Sequence, residues 1–334
     1  MFTEPNDLPG IVLVDALQDF WGFTAVSMEY QPVGFGSHHW LAADTTGRRL
    51  YATVDDLGDK RRTAHETTDE AFGRLCRAFG TARALRDEAG LNFVIAPLLT
   101  ATGRVLARLS DRYSLVIHPY VVGTRTGEDG EFTNDGDRRA VVDMLIQIHR
   151  AHVGKPQVDD FVVPDLDILL ALIRDTSDAW RGGPYAQRAQ ELLRIHAKDL
   201  KVLIAEYRRL ARRVGSQPKR MVITHGEPHA DNVMVTPGGL VLVDWDTALL
   251  APPERDLWDL AADDASLLDH YAATGTEIDN GALSLYRLWY DLAEVGGYLG
   301  LFRSAHEDTA DARESWKNLQ HFLRPAERWP SLFG

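Results

Sequence analysis

Cysteine is nearly absent from this chain of 334 residues, in which Cys76 is the single example. One thiol cannot form an intrachain disulfide, which indicates a reducing compartment, and we interpret Cys76 as a small buried hydrophobe in a helix. The sequence also lacks a run of about eighteen apolar residues, so no membrane span is expected. The opening stretch MFTEPNDLPGIVLVDALQDFWG has no basic region of the kind that begins a signal peptide. A cytoplasmic location is therefore expected.

Positive charge is also scarce. The chain has 36 Lys and Arg against 49 Asp and Glu, a formal net charge of −13. This balance argues against a nucleic-acid partner; it fits a cationic small substrate, although solubility explains it equally well. The hydrophobic content of 45% is that of a globular protein, and the length predicts two lobes or two domains.

The first third of the chain has the pattern of a small mixed lobe. Apolar residues at helical spacing predict a helix over 10–20, and strands are predicted on either side of a glycine turn that includes Phe35. A third strand, RRLYATVDD, precedes an amphipathic helix over Thr68–Ala89. NFVIAPLL and the following RVLARLSDRYSLVIHPYVV, with a polar interruption, complete about five strands. This lobe is expected to end near Tyr120.

The remainder of the chain has mostly helical patterns. A polar, glycine-rich segment after Val121 predicts a loop, and RRAVVDMLIQIHRAH and PYAQRAQELLRIHAKDLKVLIAEYRRLARRV predict helices. Three short apolar strands, MVIT, NVMV and LVLVDW, interrupt this pattern before helices resume. The expected division is a nucleotide-binding lobe over 1–120 and a catalytic, acceptor-binding lobe over 121–334.

Two short motifs among those strands carry the chemistry. THGEPHADNVMV contains Glu227 and Asn232, and VDWD contains Asp244. An amide oxygen and a carboxylate are donors that Mg²⁺ accepts alongside nucleotide phosphates, and a further acid can orient or deprotonate a hydroxyl. Each motif alone also fits a turn or an exposed strand end. The ordered set, behind a small sheet lobe, favours a phosphoryl-transfer site.

These motifs resemble those of the aminoglycoside phosphotransferase and choline-kinase-like family, most of all its spectinomycin phosphotransferase-like members. The catalytic His-Gly-Asp…Asn loop of the family stands here as HGE…N, its metal-binding strand as VDWD, and its bracing aspartate as Asp256 in LLAPPERDLWDL. VIHPYVVGTRTG resembles the hinge of the family, and LIQIH the helix after it. The similarity extends from about Tyr30 to Trp289.

The resemblance implies an α+β, bilobal, protein-kinase-like fold with a small sheet lobe and a larger, mostly helical lobe. It implies ATP or GTP with Mg²⁺ as cofactors and a small-molecule acceptor, as in enzymes of antibiotic resistance. Asn232 and Asp244 would hold the metal, Glu227 would face the acceptor hydroxyl, and His225 would brace the loop. The implied nucleotide contacts are Gly34, Gly36, Ser37, His118 and Tyr120. The implied acceptor contacts are Trp289, Asp291 and Glu294, for each of which a core or solvated position is the simpler interpretation.

Two departures from the family pattern bear on activity. Glu227 is one methylene longer than the expected aspartate, and Thr53 stands where the third strand should supply a phosphate-binding lysine. Lys60, Arg48 and Arg49 are candidates to replace that lysine, and Lys60 is the first of them. Glu70 is either the former partner of that lysine or an acid favoured by the helix dipole.

We therefore interpret the chain as a Mg²⁺-dependent phosphotransferase acting on a hydroxyl of an aminoglycoside or aminocyclitol-like compound. The alternative is a pseudokinase, a binding or regulatory protein that has lost transfer along with the expected Asp and Lys. A third interpretation, a protein that sequesters an antibiotic without nucleotide, depends only on an acidic cleft. The sequence leaves the acceptor, the choice between ATP and GTP, and the oligomeric state open.

Overall fold

The structure of the protein is a computed structural model that describes residues 1–34, 36–128, 130–175, 177–261 and 264–333. The chain divides into two compact units, each built from three segments. The first unit contains Met1–Lys60, Thr67–Asp159 and Lys219–Asp279, and the second contains Arg61–Glu66, Asp160–Pro218 and Asn280–Gly334. Residue 120 lies inside the first unit, and the division into nucleotide-binding and acceptor-binding lobes stays a prediction.

The first unit begins with a helix and a five-stranded antiparallel sheet. The sheet has the order β1-β2-β3-β5-β4, in which Trp40 lies opposite Ala52 and Ala52 lies opposite Ile117. The helix and strands are α1 (Gly10–Trp21), β1 (Ser27–Gln31), β2 (His38–Ala43), β3 (Arg49–Asp56), β4 (Ala107–Arg108) and β5 (Tyr113–Pro119). The helix over 10–20, the strands β1 to β3 and the interruption in the last predicted stretch are confirmed.

Alternation along the strands separates an apolar face from a polar one. Residues of β2, β3 and β5 form a core with Leu13 and Leu17 of α1. The strand residues of this core are Trp40, Ala42, Leu50, Ala52, Val54, Tyr113, Leu115 and Ile117. The intervening residues of β3, Tyr51, Thr53 and Asp55, therefore lie on the opposite face of the sheet. That face is where β3 brings polar groups toward the candidate site.

The prediction of a strand at NFVIAPLL is wrong. Within this stretch the structure has only an isolated bridge, in which Val94 pairs with Leu242. The segment is apolar because Val94 and Ala96 are buried, and not because it pairs along its length. Pro97 also lacks the amide hydrogen that a continuing ladder would need.

Among the described residues, the rest of the first unit contains three small sheets. Their strand orders are β11-β10-β6, β12-β9 and β7-β8. The segment predicted as a loop after Val121 contains three two-residue strands. The elements are α2 (Thr68–Asp87), β6 (Thr124–Arg125), β7 (Gly127–Glu128), β8 (Glu131–Phe132), α3 (Asp135–Arg150), β9 (Val222–Thr224), a 3-10 turn (Ala230–Asn232), β10 (Val233–Thr236), β11 (Gly239–Leu242), β12 (Leu249–Ala251), α6 (Glu254–Leu260) and α7 (Ala265–Ala272). Cys76 is half-buried in α2.

The second unit is helical. Its helices are α4 (Leu166–Arg174), α5 (Ala186–Gly215), α8 (Asn280–Arg303), α9 (Ala310–Phe322), α10 (Pro325–Arg328) and α11 (Pro330–Phe333), and a 3-10 turn at Pro218–Arg220 leads back to the first unit. An N-terminal antiparallel sheet followed by a mostly helical chain confirms the predicted α+β fold class. Among the described residues, no helix combines the length and apolarity needed to cross a membrane.

Candidate active site

The loop between β9 and the 3-10 turn is held by one buried carboxylate. Asp256 accepts hydrogen bonds from the amides of His225 (2.9 Å) and Gly226 (2.6 Å) and from Nε2 of His149 (3.0 Å). Burial alone would raise the pKa of Asp256, but the hydrogen bond and the charge of His149 hold it below its ordinary value. Asp256 therefore stays ionised and fixes the backbone that carries Glu227.

Gly226 is required by both conformation and space. Its φ is +107°, and a Cβ at this position would lie 2.6 Å from Cζ of Arg255. That guanidinium is itself fixed, because it donates to Oγ1 of Thr224 (2.9 Å) and the carbonyl of Thr247 (3.0 Å). A larger residue would thus move the loop or the arginine.

His225 is a bracing residue and not a free base. Its Nε2 lies 2.9 Å from the carbonyl oxygen of Val243, which only accepts, so Nε2 carries the hydrogen. Its Nδ1 accepts from the amide of Glu227 at 3.2 Å, and its ring packs edge-on to Trp245 at 4.5 Å. Burial lowers the pKa of His225 to about 4, so the imidazole is neutral. Both nitrogens are engaged, which leaves proton transfer to another group.

Asn232 and Asp244 offer side-chain oxygens from two stretches of chain that a backbone hydrogen bond brings together. The amide of Val243 donates to the carbonyl of Asn232 at 3.0 Å, which aligns the residues before and after β10 and β11. The Nδ2 group of Asn232 donates to the carbonyl of Glu227 at 2.9 Å and lies 3.3 Å from Nε2 of His229. Asp244 has φ of +63°, a conformation typical of functional positions when it occurs outside glycine.

Lys60 brings a positive charge into the same cluster. Its Nζ lies 2.8 Å from Oδ2 of Asp246 and 3.2 Å from Oδ1 of Asp55. Asp55 is 1% exposed, and its Oδ1 also accepts from the hydroxyl of Ser37 at 2.7 Å. Lys60 follows β3 through a turn in which its amide donates to the carbonyl of Asp56 at 3.0 Å. The turn after β3 therefore returns the ammonium of Lys60 to Asp55 of that strand, and its role as a replacement for the missing lysine stays a prediction.

The cluster contains more carboxylates than ammonium groups, and this imbalance shifts the pKa values of the acids. Burial and the charge of Asp246 raise the pKa of Glu227. Asp244 keeps an exposed surface, yet desolvation of its carboxylate and the charge of Asp246 raise its pKa well above the ordinary value. Burial would raise the pKa of Asp246 too, but Lys60 lowers it. With Asp55, the cluster contains four carboxylates, of which Asp246 and Asp55 form ion pairs with the ammonium of Lys60.

The predicted nucleotide contacts lie around the sheet. Gly34 and Gly36 have φ of +70° and +91° in the turn between β1 and β2, while Phe35 lies outside the described residues. His118 of β5 is opposite Tyr51, and its buried Nε2 has no hydrogen-bond partner among the described residues. Burial lowers the pKa of His118 to about 4. Tyr120 packs under the guanidinium of Arg49 at 3.9 Å.

The other candidates to replace the lysine have different contacts. Arg49 is on the Tyr120 ring, and Arg48 lies over the ring of Phe23 at 5.6 Å. The hydroxyl of Thr53 is hydrogen-bonded to Nδ1 of His39 at 3.1 Å. Glu70 forms a capping box with Thr67 at the start of α2, which is the role of a helix-terminal acid.

The predicted acceptor residues lie on α8 in the second unit. Asp291 is 2% exposed and accepts from Arg328 (2.6 and 3.0 Å) and Nε1 of Trp329 (2.8 Å). Glu294 accepts from the hydroxyl of Tyr298 at 2.5 Å, and Trp289 donates to the carbonyl of Val162 at 2.9 Å. These contacts are internal to the unit, and a role in acceptor binding stays a prediction.

Sequence reasoning did not assign some of the residues that complete the site. Asp55 and Asp246 hold Lys60, and Arg255 and His149 hold the loop. His149 could have been found from the sequence, because it is a polar residue on the apolar side of α3. The partners of Lys60 have no local signal, because Asp246 is 186 positions away in the chain.

An α+β fold with this array of acids, an amide and a lysine defines a phosphotransferase of the kind that acts on small molecules with an alcohol group as acceptor. The chain belongs to the phosphotransferase enzyme family (APH), whose model matches residues 55–294. It is 30% identical over 257 residues to Protein StrN of Streptomyces griseus, with 72% of this chain and 74% of that protein covered.

Two solved structures show the same fold. Spectinomycin phosphotransferase APH(9)-Ia, in complex with ADP and spectinomycin, superposes with a TM-score of 0.70 at 16% identity, over 94% of this chain and 96% of that one. Amicoumacin kinase hAmiN, in complex with AMP-PNP, Ca²⁺ and Ami, gives 0.60 at 13% identity, over 97% and 94%. The family membership gives no support to the alternative of a pseudokinase.

Proposed function

We propose that the protein transfers the γ-phosphate of ATP or GTP, with Mg²⁺, to a hydroxyl of an aminoglycoside or aminocyclitol-like compound. The observation that carries the proposal is the cluster of Glu227, Asp244 and Asp246 beside Lys60. Phosphoryl transfer depends on positioning and on compensation of charge, and these residues supply an acid, metal donors and a cation at one place.

Asn232 and Asp244 fit a Mg²⁺ ion. Oδ1 of Asn232 and the carboxylate of Asp244 accept no hydrogen bond from the described residues, and the surplus of carboxylates favours a cation. Within the described ranges, no three or more His, Cys, Asp or Glu side chains are arranged to hold a metal by themselves. Two protein donors are typical of Mg²⁺ that is shared with nucleotide phosphates. The ion would compensate phosphate charge.

Lys60 is the proposed phosphate-binding cation. Asp246 and Asp55 hold its ammonium on the polar face of the sheet, and although burial opposes the charge, these carboxylates raise the pKa of Lys60 well above its ordinary value. It therefore stays charged at any working pH. Glu227, with its raised pKa, is the proposed base that accepts the proton of the acceptor hydroxyl while that oxygen attacks the γ-phosphorus. The bond between the γ-phosphorus and the bridging oxygen then breaks, and ADP or GDP leaves.

The acceptor class is supported by the net charge of −13 and by the relatives. The spectinomycin phosphotransferase and amicoumacin kinase structures contain spectinomycin and Ami, respectively. A cationic amino-sugar or aminocyclitol suits an acidic protein, because opposite charge favours encounter and binding.

Two measurements test the proposal. Transfer of radiolabelled phosphate from ATP and from GTP is measured against a panel of aminocyclitols, sugars and amino alcohols, with aminocyclitols or aminoglycosides expected to accept it. Calorimetry is expected to show nucleotide binding that Mg²⁺ strengthens, and Asp244→Ala should remove the dependence on Mg²⁺. Equal nucleotide affinity with and without Mg²⁺ in the wild type would overturn the proposed metal site. Absence of transfer across the whole panel would overturn the proposed acceptor class.

A further inference from the structure

The chain passes between the two units next to Lys60. Lys60 ends the first segment of the first unit, and the next six residues, Arg61–Glu66, belong to the second unit before Thr67 returns to the first. We call Arg61–Glu66 the crossing segment. Since a peptide bond joins residues 60 and 61, whatever holds the crossing segment also limits the positions open to Lys60.

An ion pair holds the crossing segment within the second unit. Nη1 and Nη2 of Arg62 donate to Oδ1 and Oδ2 of Asp160, each at 2.8 Å. This is the bidentate arrangement in which arginine fixes direction as well as distance. Asp160 is oriented in turn by the amide of Val162, which donates to its Oδ1 at 3.1 Å. The pair therefore restrains Arg62, which lies two residues after Lys60 in the chain.

Two backbone hydrogen bonds add to this contact. The amide of Asp165 donates to the carbonyl of Arg62 at 2.9 Å, and the amide of Ala64 donates to Oδ2 of Asp167 at 3.0 Å. The crossing segment is thus attached by backbone as well as side chain to the stretch 160–167.

The stretch 160–167 is itself fixed. Phe161 and Asp165 have φ of 57° and 55°, in the left-handed region that residues other than glycine rarely adopt. The hydroxyl of Tyr207 donates to the carbonyl of Phe161 at 2.5 Å, and Nε1 of Trp289 donates to the carbonyl of Val162 at 2.9 Å. Such conformations persist where the surroundings over-determine them. The crossing segment is therefore attached to a rigid anchor.

We propose that Arg62, through its pair with Asp160, is a positioning residue for the phosphate-binding ammonium of Lys60. This inference depends on the function proposed above for Lys60. On the other side of Lys60, its amide is bonded to the carbonyl of Asp56, and its carbonyl accepts from Arg74. The guanidinium of Arg62 supplies a side-chain restraint that follows Lys60 in the chain, in addition to the two backbone hydrogen bonds. Without it, the lysine samples more positions and loses affinity for phosphates, because more freedom must be lost on binding.

A double-mutant cycle with calorimetry tests this proposal without knowledge of the acceptor. ATP and adenosine affinities are measured in the presence of Mg²⁺ for the wild type, Arg62→Gln, Lys60→Ala and the double variant. Arg62→Gln is expected to weaken ATP binding about 3- to 10-fold, in the range of coupled contacts, and to leave adenosine binding unchanged. The double variant should bind ATP no more weakly than Lys60→Ala. Asp160→Asn should reproduce Arg62→Gln, and Arg62→Lys should recover part of the affinity.

The matched control is Arg209→Gln, which removes another bidentate pair of the second unit, with Glu206 at 2.7 and 2.8 Å. It should leave ATP affinity within about twofold of the wild type, because an exposed pair of this kind contributes little. If Arg62→Gln causes no loss, or an equal loss in the wild type and in the Lys60→Ala variant, the positioning role alone is overturned. Unchanged ATP affinity in Lys60→Ala would instead overturn the phosphate-binding role of Lys60 on which it depends.

Discussion

At the scale of single residues, Glu227 decides between a working site and a decayed one. The loop that carries it keeps each support: His225 is neutral with both nitrogens engaged, and Asp256 binds two successive amides. A loop held this closely fixes the backbone from which the longer side chain extends. The extra methylene is therefore compatible with a base that reaches the acceptor hydroxyl from a backbone adapted to it.

Replacement of Glu227 tests that argument. Glu227→Gln is expected to preserve Mg²⁺-nucleotide binding and to lower kcat by about 10²–10⁴-fold, the usual contribution of a positioned base. Glu227→Asp should also lose activity, because the carboxylate withdraws from the hydroxyl. Since the pKa of Glu227 is raised, activity should fall as pH drops through a value above that of an ordinary glutamate. Radiolabelled phosphate transfer across a pH series measures both effects. Higher activity in Glu227→Asp than in the wild type would contradict an adapted loop.

Gly226 allows a prediction with an unusually close control. Gly226 and Gly239 have the same φ of +107°, but a Cβ at Gly226 meets Arg255, whereas a Cβ at Gly239 meets nothing within 4 Å. Gly239→Ala should cost about 1–3 kcal/mol of backbone strain, and Gly226→Ala should cost clearly more because it adds the overlap. Denaturant unfolding measures both free energies. Equal costs would show that the guanidinium of Arg255 moves aside freely.

Residue types and spacing predicted the acids and the amide of the site, but only part of its electrostatics. Glu227, Asn232 and Asp244 lie in two short motifs, so sequence alone groups them. Lys60 could be named only as a candidate, because its position in the site depends on a contact with Asp246, which is distant in the chain. Asp55 had no assigned role from the sequence, whereas the structure makes it a partner of Lys60.

At the scale of elements, patterns with a clear period were predicted well. α1, α3 and α5 have apolar positions at helical spacing, and the structure has helices there. The apolar run NFVIAPLL has no periodicity that distinguishes a paired strand from a buried extended segment. Its conformation depends on tertiary contacts, such as the bridge between Val94 and Leu242. The three short strands of the segment after Val121 pair only through long-range or tight-turn contacts, which composition does not reveal.

The capping box of α2 gives a prediction at this scale. The amide of Glu70 donates to Oγ1 of Thr67 at 3.2 Å, and the amide of Thr67 donates to Oε2 of Glu70 at 2.8 Å. Thr67→Ala removes the acceptor for a helix-terminal amide and should lower the free energy of unfolding by about 1 kcal/mol, while Thr67→Ser should retain most of it. Thr309→Ala, at the start of α9, is the control for a cap without the reciprocal acid. Urea unfolding measures the three variants, and a loss in Thr67→Ser as large as that in Thr67→Ala would contradict the capping role.

At the scale of the whole molecule, acidic residues outnumber basic ones, and the candidate site has a similar surplus of carboxylates. The net charge is −13, and in the site Asp246 and Asp55 both pair with Lys60, while the charge of Asp246 also acts on Asp244 and Glu227. Like charges crowded together oppose folding unless a cation or a proton joins them. The carboxylates proposed to hold Mg²⁺ are therefore expected to destabilise the protein when no metal is present.

Asp244→Asn should consequently stabilise the metal-free protein. The pKa of Asp244 is raised in the folded state, so the stability linked to its proton is fully present below the ordinary pKa of an aspartate and is lost as pH rises through the raised value. At pH 7 to 8 with a chelator, Asp244→Asn is expected to melt at a higher temperature than the wild type, and the difference should vanish at acidic pH. Addition of Mg²⁺ and ATP should reverse the order, because the wild type gains binding energy that the variant cannot. Thermal unfolding at several pH values measures this. A lower melting temperature for the variant without metal would show that Asp244 supports the fold rather than opposing it.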